Sequence, residues 1–392
     1  MTTERTDEIG FPTGDSATPQ PDARQMVEAA EHVGSTVLGP CAEATDQMDG
    51  PNRANFAALA AHKLLGLAVP VRYGGADAAG RTQHLCTQTL ASWCGVTAFT
   101  QAQHHGPCRF IANGPNPALA DALLPEMAAG RLISGVSFAH LRRPGPPAIT
   151  ATAVPGGWLI DGVAPWVTGW GMIAMLVLGA ATADGRIAYF WIPVEPHKLE
   201  ALLPGCRSDR RHEGTLDAGP PIRLCAMRAS ATVVLHFHHW FVPDAHLLAW
   251  SDREAMRRND KMGVLGATAF PLGCSWRAIQ LTAQTAEKRS VVAGSVAAEA
   301  LLQEWRELDA AVEAGSASAE DTDAWFTAAV ELRAKVIALS VRAAHAAVTV
   351  SSGSANTLAH PAQRLYREAM FYTVQAQTND VMQATLRRLT ST

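Results

Sequence analysis

The sequence predicts an α+β chain that is mostly helical, with a β unit between two helical regions. Three observations predict it. Residues 24–135 are rich in Ala and Leu at helical spacing, residues 136–245 alternate short apolar runs with Gly and Pro, and residues 246–392 return to long helical patterns. Because helices and strands do not alternate along the chain, a βαβ architecture is excluded.

The first helical region shows its pattern most clearly in FAALAAHKLLG (56–66) and PALADALLPEMAAGRLI (117–133). Their apolar positions recur at the spacing of one helix face. Residues 1–23 precede it and are polar, with Gly and Pro, which predicts a disordered leader. This leader carries acids and lacks an apolar core, so we expect neither a secretory signal nor a transit peptide there.

Short apolar runs separated by Gly-Gly and Asp-Gly turns predict strands in residues 136–245. The clearest are ATAVPGGWLIDGVAPWVTG (151–169), RIAYFWIPV (186–194) and SATVVLHFHHWFVP (230–243). GMIAMLVLGAA (171–181) is the longest apolar run. It falls well short of the ~20 residues of a membrane helix and is typical of a buried strand. Together these runs predict a compact antiparallel unit.

Residues 246–392 contain two long helical patterns, 263–291 and 322–350. Between them GSASAEDTD (315–323) predicts a loop that ends in a helix-capping site. The chain contains neither GxGxxG nor GxxxxGK[ST], so no Rossmann or P-loop nucleotide site is predicted.

Composition excludes several classes of partner. The 392 residues are 48% hydrophobic, enough for two or three domains with a substantial core. Only 17% are charged, the net charge is −4, and no long run of like charges occurs. We therefore expect neither a nucleic-acid nor a membrane partner.

Cysteine usage indicates a reducing compartment. Seven cysteines are scattered along the chain without a CxxC pair, which predicts free thiols in the cytoplasm rather than disulfides or a zinc site. His236 and His238 fall on one face of a predicted strand, but without a third ligand nearby they do not predict a metal site. We expect no metal.

Four stretches in order carry a resemblance: LLGLAVPVRYGGADA (64–78), GGWLIDGVAPWVTGWG (156–171), MRASATVVLHFHHWFVP (227–243) and HPAQRLYREAMFY (360–372). Together they resemble the acyl-CoA dehydrogenase superfamily of flavoproteins over nearly the whole chain after residue 25. The resemblance implies an N-terminal helical domain (24–135), a middle β-barrel-like domain (136–245) and a C-terminal four-helix bundle (246–392) that enclose FAD. It also implies a homotetramer, with a dimer as the alternative, in which neighbouring subunits complete each flavin site.

The resemblance implies flavin contacts in the middle domain. SGVSFAHLRRPG (134–145) matches the strand that lies along the flavin, which places Phe138, His140 and Leu141 at contacting positions. Trp166 and Thr168 match the aromatic wall and the hydroxyl partner of flavin N5. The structural alternatives for this last pair are a core indole and an ordinary strand threonine.

Two further positions match cofactor contacts in the C-terminal region. Arg289 matches the arginine that binds the pyrophosphate, although an Arg at a helix end also interacts favourably with the helix dipole. Gly353 stands where the family contacts the neighbour's FAD.

In contrast, the family's Thr-Glu-Pro-Gly and Ser-Asp are absent after Leu141, where Arg142 and Arg143 follow. These losses predict weaker FAD binding or the use of reduced FMN or FAD supplied in trans. The two arginines either favour an anionic reduced flavin or form a solvated basic turn.

The family's catalytic base is missing. Removal of an α-proton from an acyl thioester requires a positioned carboxylate, and the resemblance places that Glu at Ala376, within YREAMFYTVQAQTND (366–380). Some branches of the family carry the Glu near Gly263 instead, where Asp260 is the nearest acid. Neither place offers a Glu.

Three interpretations of function follow. The first is a flavin-dependent oxidoreductase that acts on an acyl thioester or a related small molecule without the usual Glu. That interpretation requires an electron acceptor as partner. The second is a two-component monooxygenase that uses reduced flavin and O2, with a flavin reductase as partner. The third is a non-catalytic binding relative. His104 and His105 are the candidate catalytic side chains because His titrates near neutral pH; the alternative is a pair of satisfied core histidines.

Overall fold

The computed structural model describes residues 23–203 and 214–390. All but the last residue of the predicted leader therefore lies outside the described residues. The first part is helical, as predicted. Its helices are α1 (Ala23–Val33), α2 (Ala42–Asp46), α3 (Arg53–Ala61), α4 (Gly80–Trp93), α5 (Gly95–Ala112) and α6 (Pro117–Ala128).

Local side chains explain where these helices begin and how closely they pack. Asn52 caps α3 by accepting the Ala54 N–H, and Asn116 caps α6 just before Pro117. A π-helical turn, Gly34–Leu38, follows α1 and lies against Trp93 of α4. A Cβ on Gly34 would lie 2.1 Å from the Trp93 ring, so only glycine permits this approach.

Within the residues that the structure describes, the middle part is one sheet of eight strands. They are β1 (Ser134–Ser137), β2 (Ile149–Val154), β3 (Gly157–Val167), β4 (Met175–Thr182), β5 (Ile187–Pro193), β6 (Thr215–Ala218), β7 (Val233–Pro243) and β8 (Leu247–Ser251). The short helix α7 (Pro196–Glu200) follows β5. The strand order is β6-β7-β3-β2-β4-β5-β8, and β1 also pairs with β4. The predicted buried strand is β4, whose residues 175–180 are all buried.

The sheet is mixed, so the prediction of a purely antiparallel unit is wrong. Hairpins β2–β3 and β4–β5 are antiparallel, but β1 and β2 both run parallel to β4. Ser134 pairs with Met175 at one end of β4, and Thr150 pairs with Ala181 at the other. The two strands therefore follow one another along the same edge of β4 and run in the same direction.

The C-terminal part is helical, as predicted. Its helices are α8 (Arg253–Met262), α9 (Ala269–Arg289), α10 (Val292–Ala317), α11 (Asp323–Ser351), α12 (Pro361–Tyr372) and α13 (Asn379–Thr390). The predicted capping site is present, since the Thr322 side chain accepts the Trp325 N–H. The predicted loop is shorter than expected, because α10 continues to Ala317. Helix α11 packs against α9, α10, α12 and α13.

Helix α11 is also apolar and long enough to cross a membrane, by length and composition alone. Half of its most apolar window is buried inside the protein. Because it is surrounded by four other helices, its composition is that of a core helix. The largest hydrophobic cluster joins all three parts of the chain, from Val33 in α1 through Phe190 in β5 to Tyr372 in α12.

Candidate functional site

The end of strand β3 presents an exposed indole beside a buried hydroxyl group. The Trp166 side chain is 45% exposed, whereas Thr168 is buried. The pairing of β3 with β7 shifts register between Ala164 and Val167. Such an irregularity turns a side chain out of the strand's regular alternation. A flat apolar surface therefore lies on the outside of the sheet, close in sequence to a polar group.

Three hydroxyl groups form a chain that ends at Thr168. Thr168 Oγ1 lies 3.1 Å from Thr232 Oγ1, which lies 2.8 Å from Ser230 Oγ. The backbone anchors the arrangement, because the Gly169 N–H donates to the Ser230 carbonyl at 2.7 Å. A hydroxyl both donates and accepts, so Thr168 Oγ1 keeps hydrogen-bonding capacity for a ligand whichever way the protons are ordered.

Phe138 and Leu141 are held by packing against the sheet. The Phe138 ring lies 5.5 Å from Phe110 and 5.3 Å from Tyr189, centroid to centroid. Leu141 fills the space left by the missing side chain of Gly179, where a Cβ would lie 2.6 Å from Leu141 Cδ1. These contacts do not include Trp166 or Thr168, so contact of Phe138 and Leu141 with a flavin stays a prediction.

His140 is also buried, on the 3₁₀ turn Ala139–Arg142 that follows β1. Its Nε2 lies 2.8 Å from the Gly179 carbonyl oxygen. Since a carbonyl only accepts, Nε2 carries the proton. Burial lowers the pKa of His140, and the nearby Arg143 and Arg142 lower it further.

His104 and His105 lie in the middle of helix α5 and are both buried. Both ring nitrogens of His104 are engaged: Nδ1 accepts the Ser134 N–H at 3.1 Å, and Nε2 lies 3.1 Å from the Met127 carbonyl. His105 Nε2 lies 3.0 Å from Gln101 Nε2. Burial lowers the pKa of His104 to about 4 and that of His105 to about 3. These contacts match the core-histidine alternative, and a catalytic role for either residue stays a prediction.

The position at which the resemblance placed the base lies in a loop. Helix α12 ends at Tyr372, and Ala376 is exposed with φ +47°, a left-handed conformation that is unusual for a residue with a Cβ. The buried Arg333 of α11 donates to the carbonyls of Gln375 at 2.8 Å and Ala376 at 3.0 Å, and to that of Val264 at 3.3 Å. A buried guanidinium therefore fixes this loop through its backbone.

Of the three carboxylates close to the two possible base positions, two are engaged elsewhere. Asp260 forms a two-point ion pair with Arg142, with N–O distances of 2.7 and 2.6 Å. Glu368 is buried and bonded to Arg364 at 2.8 Å. Asp380 is exposed in the first turn of α13. In the turn that carries Arg142 and Arg143, an acid 118 residues away therefore neutralises Arg142.

Arg289 and Gly353 are brought near one another at the ends of two helices. Arg289, the last residue of α9, donates from Nη1 to the carbonyl of Val350 at 2.8 Å. Gly353 lies two residues beyond the end of α11, and a Cβ there would meet nothing within 4 Å. The Arg289 guanidinium and the open space at Gly353 therefore lie at neighbouring helix ends.

A buried polar cluster on α12 escaped the sequence analysis. Glu368 Oε2 and the Tyr372 hydroxyl are buried without a hydrogen-bond partner in the described part of the chain. Both lie around Gly95, where a Cβ would lie 2.5 Å from the Tyr372 hydroxyl and 2.8 Å from Glu368 Oε2. The single sequence signal is the i, i+4 spacing of Glu368 and Tyr372, which does not reveal that α5 covers them.

A cavity of about 70 Å³ lies beside the turn after β1, away from Trp166 and Thr168. His140 and Leu141 are among its lining residues. Within residues 23–203 and 214–390, no group of three His, Cys, Asp or Glu is placed to hold a metal ion.

Comparison with known proteins identifies the first domain. Residues 20–131 match the family model for the acyl-CoA dehydrogenase N-terminal domain. No curated protein matches the chain by sequence.

Solved structures match the whole fold. Butyryl-CoA dehydrogenase from Megasphaera elsdenii shares 16% identity with a TM-score of 0.76, over 96% of this chain and 100% of that one. Glutaryl-CoA dehydrogenase from Mycobacterium smegmatis, in complex with FADH2, shares 17% with a TM-score of 0.75, over 95% of each chain. A chain from a structure of the electron transferring flavoprotein of Acidaminococcus fermentans gives 17% and 0.77, over 96% of this chain and 100% of that one. At these identities the matches establish the fold.

Proposed function

We propose that this chain is a flavin-dependent oxidoreductase. The premise is that it belongs to the acyl-CoA dehydrogenase superfamily by its N-terminal domain and its fold. Its substrate would be an acyl thioester or a related small molecule. The observation that carries the proposal is the half-exposed Trp166 followed closely by the hydroxyl chain of Thr168, Thr232 and Ser230.

The residues present fit a flavin on this side of the sheet. An isoalloxazine ring needs a flat apolar wall and polar partners at its edge, and Trp166 and Thr168 supply one of each. Arg289 would meet a phosphate group with its guanidinium nitrogens other than Nη1. A bound flavin would supply the redox chemistry, while these side chains hold and orient it.

The proposed reaction does not use a carboxylate at residue 376. Ala376 has none, and Asp260 is held by Arg142. Loss of a positioned base costs roughly 10²–10⁴-fold in rate for reactions that require one. The names of two structural neighbours, which are dehydrogenases of acyl-CoA substrates, support a thioester substrate.

The lack of a base at Ala376 also fits a second candidate, a two-component monooxygenase that uses reduced flavin and O2. Hydroxylation of this type requires no α-proton base, so the absence of a free carboxylate at 376 or 260 does not hinder it. A flavin reductase would be its partner, whereas a dehydrogenase would pass electrons to a separate acceptor.

A spectroscopic experiment distinguishes the two candidates. The purified protein is examined for flavin absorption, then titrated with oxidised and with reduced FMN and FAD in the absence of oxygen. Tight oxidised FAD and stoichiometric desaturation of an acyl thioester without oxygen would support the dehydrogenase. Binding of reduced flavin alone, with product formation only after oxygen is added, would support the monooxygenase. Binding in neither redox state would contradict both and leave a non-catalytic relative.

A homo-oligomer is also proposed. Apolar side chains remain exposed on two helices of the C-terminal part: Val292 and Val296 on α10, and Leu386 and Leu389 on α13. Exposed apolar faces of this kind are typical of interaction surfaces. We expect sedimentation to show a dimer or a tetramer, and Leu386→Asp with Leu389→Asp to shift it toward smaller species. A monomeric unsubstituted protein would contradict the proposal.

A further inference from the structure

The chain of hydroxyl groups beside Trp166 is closed at its inner end. Ser230 is fully buried, whereas Thr232 is 4% and Thr168 is 7% exposed. Within the residues that the structure describes, Ser230 Oγ and Thr168 Oγ1 have the same single hydrogen-bond partner, Thr232 Oγ1, at 2.8 and 3.1 Å. Thr232 therefore lies between a closed end, at Ser230, and an end that is two residues along the chain from the exposed Trp166 ring.

The number of protons fixes the direction of the two hydrogen bonds. Each hydroxyl group donates one proton, and a buried donor without an acceptor is unfavourable. If Thr168 donated to Thr232 and Thr232 to Ser230, the Ser230 proton would find no acceptor in the described part of the chain. If Ser230 and Thr168 both donated to Thr232, the Thr232 proton would find none there. Both inner protons are used only when Ser230 donates to Thr232 and Thr232 donates to Thr168.

This order leaves the proton of Thr168 for an acceptor outside the three hydroxyl groups. Thr168 Oγ1 accepts from Thr232, so its own proton has no partner within residues 23–203 and 214–390. Thr168 is also the least buried of the three residues. A ligand atom that reaches Thr168 Oγ1 therefore meets a hydrogen-bond donor, and Thr232 sets the direction of that donor.

A strained turn holds Ser230 in place. Met227 and Ala231 flank the 3₁₀ turn Arg228–Ser230, both are buried, and their φ values of +61° and +44° are unusual for residues with a Cβ. Such conformations persist only where the surrounding structure maintains them. The Ser230 N–H donates to the Met227 carbonyl at 2.9 Å, and the Ser230 carbonyl accepts the Gly169 N–H at 2.7 Å. The closed end is therefore fixed through the backbone of Ser230.

We propose that Thr232, closed off on its inner side by Ser230, is a positioning residue that holds the Thr168 hydroxyl as a donor and makes the site prefer an oxidised flavin to a reduced one. N5 of the oxidised isoalloxazine ring accepts a hydrogen bond, whereas N5 of the reduced ring carries a proton and donates one. A fixed donor matches the first form, and the second leaves the Thr168 proton without an acceptor. The inference rests on the proposed flavin site, and within it favours the dehydrogenase over the monooxygenase.

Anaerobic titration with oxidised and with reduced FAD measures this preference as the ratio of the two dissociation constants. We expect the unsubstituted protein to bind the oxidised form more tightly. Thr232→Val should reduce the preference about fivefold, the value of one ordinary hydrogen bond, because the Thr168 hydroxyl is then free to turn. Thr232→Ser keeps the hydroxyl group and should restore the ratio. A role of Thr232 in packing alone would weaken the binding of both forms equally and leave the ratio unchanged.

Thr100→Val is the matched control. Thr100 is buried and lies beside the same strand end, since a Cβ on Gly169 would lie 3.5 Å from Thr100 Cγ2. Its hydroxyl donates to the Val96 carbonyl at 2.9 Å, within helix α5 and apart from the three hydroxyl groups. The control loses one buried hydroxyl group, as Thr232→Val does, and should leave the ratio unchanged.

A neutron structure of the flavin-free protein in deuterated buffer tests the proton order by itself. We expect the deuterium of Thr232 to point at Thr168 Oγ1; a deuterium on Thr168 that points at Thr232 overturns the inference, and this result decides even if Thr232→Val does not fold. An unchanged ratio in Thr232→Val, an equal change in Thr100→Val, or tighter binding of reduced FAD by the unsubstituted protein also overturns it, while the flavin site stands. Binding of neither form of FAD overturns the inference and the proposed function together.

Discussion

The end of strand β3 and the loop after helix α12 offer a reaction very different things. At β3, Trp166 is half exposed and the Thr168 hydroxyl can form a further hydrogen bond. At the loop, Ala376 carries no functional group and its backbone is held from behind by Arg333. The first region presents an aromatic ring and a hydroxyl group, while Ala376 in the second presents neither. The difference is that the end of β3 carries side chains able to contact a ligand, whereas the loop at Ala376 offers only its backbone.

The largest expected effect concerns the helix that carries the inert loop. Arg364→Met leaves Glu368 buried without its ion-pair partner, and breaking a buried pair costs about 3–5 kcal/mol. Urea unfolding would measure the loss. Arg342→Met breaks an exposed pair with Glu304 and should cost at most about 1 kcal/mol. Equal losses in the two variants would contradict the burial of the Arg364–Glu368 ion pair.

Acid should destabilise the protein through helix α5. The pKa of His104 is about 4 in the folded protein against 6.5 for the free side chain, so the unfolded chain binds the additional proton between these values. Stability is therefore fully present above pH 6.5 and decreases toward pH 4, by about 1.4 kcal/mol per pH unit for each such histidine. Unfolding measured across this range should show a shallower dependence in His104→Gln than in the exposed control His238→Gln. An equal dependence of unfolding on pH in the two variants would show that His104 is already protonated in the folded protein.

Removal of Arg333 tests what holds the loop. Arg333→Met deletes the donors to the carbonyls of Gln375 and Ala376, each of which is worth roughly 1 kcal/mol or more. We expect hydrogen exchange to accelerate for the amides of residues 374–378, with helix α10 as the internal reference. Unchanged exchange would mean that the loop is stable without the arginine.

The smallest expected effect has opposite signs at two sites. Ala376→Gly relieves a left-handed alanine and should stabilise the protein by up to about 1 kcal/mol. The same substitution at Ala314, exposed inside α10, should destabilise it by about 1 kcal/mol. Destabilisation at both sites would show that Ala376 is not in this conformation in solution.

The sequence was most informative where local pattern decides the structure. The apolar run 171–181 predicted β4, and the acidic loop before residue 323 predicted the Thr322 cap, because both depend on neighbours in the chain. The predicted antiparallel sheet was wrong because the pairing of β1 and β2 with one edge of β4 depends on tertiary packing.

The candidate site was less predictable for the same reason. Motif spacing located Ala376, but it does not reveal the left-handed backbone there or the hydrogen bond from Arg333, 43 residues earlier. Asp260 and Arg142 were considered separately, as an acid and as a basic turn, and no local signal reveals that they pair. The helical period of α5 does not reveal that neighbours cover two adjacent histidines. Contacts distant in sequence set the chemistry of this protein.

The most direct test of the flavin site is an anaerobic titration of the protein with reduced FMN and reduced FAD, in parallel with Trp166→Ala and the control Val163→Ala. Val163 is the other exposed apolar side chain of β3. The proposed site predicts that the unsubstituted protein and Val163→Ala bind reduced flavin alike, while Trp166→Ala binds it about tenfold more weakly because the ring loses its apolar wall. Equal binding by all three proteins would place any flavin elsewhere, and no binding by any of them would contradict the proposed function.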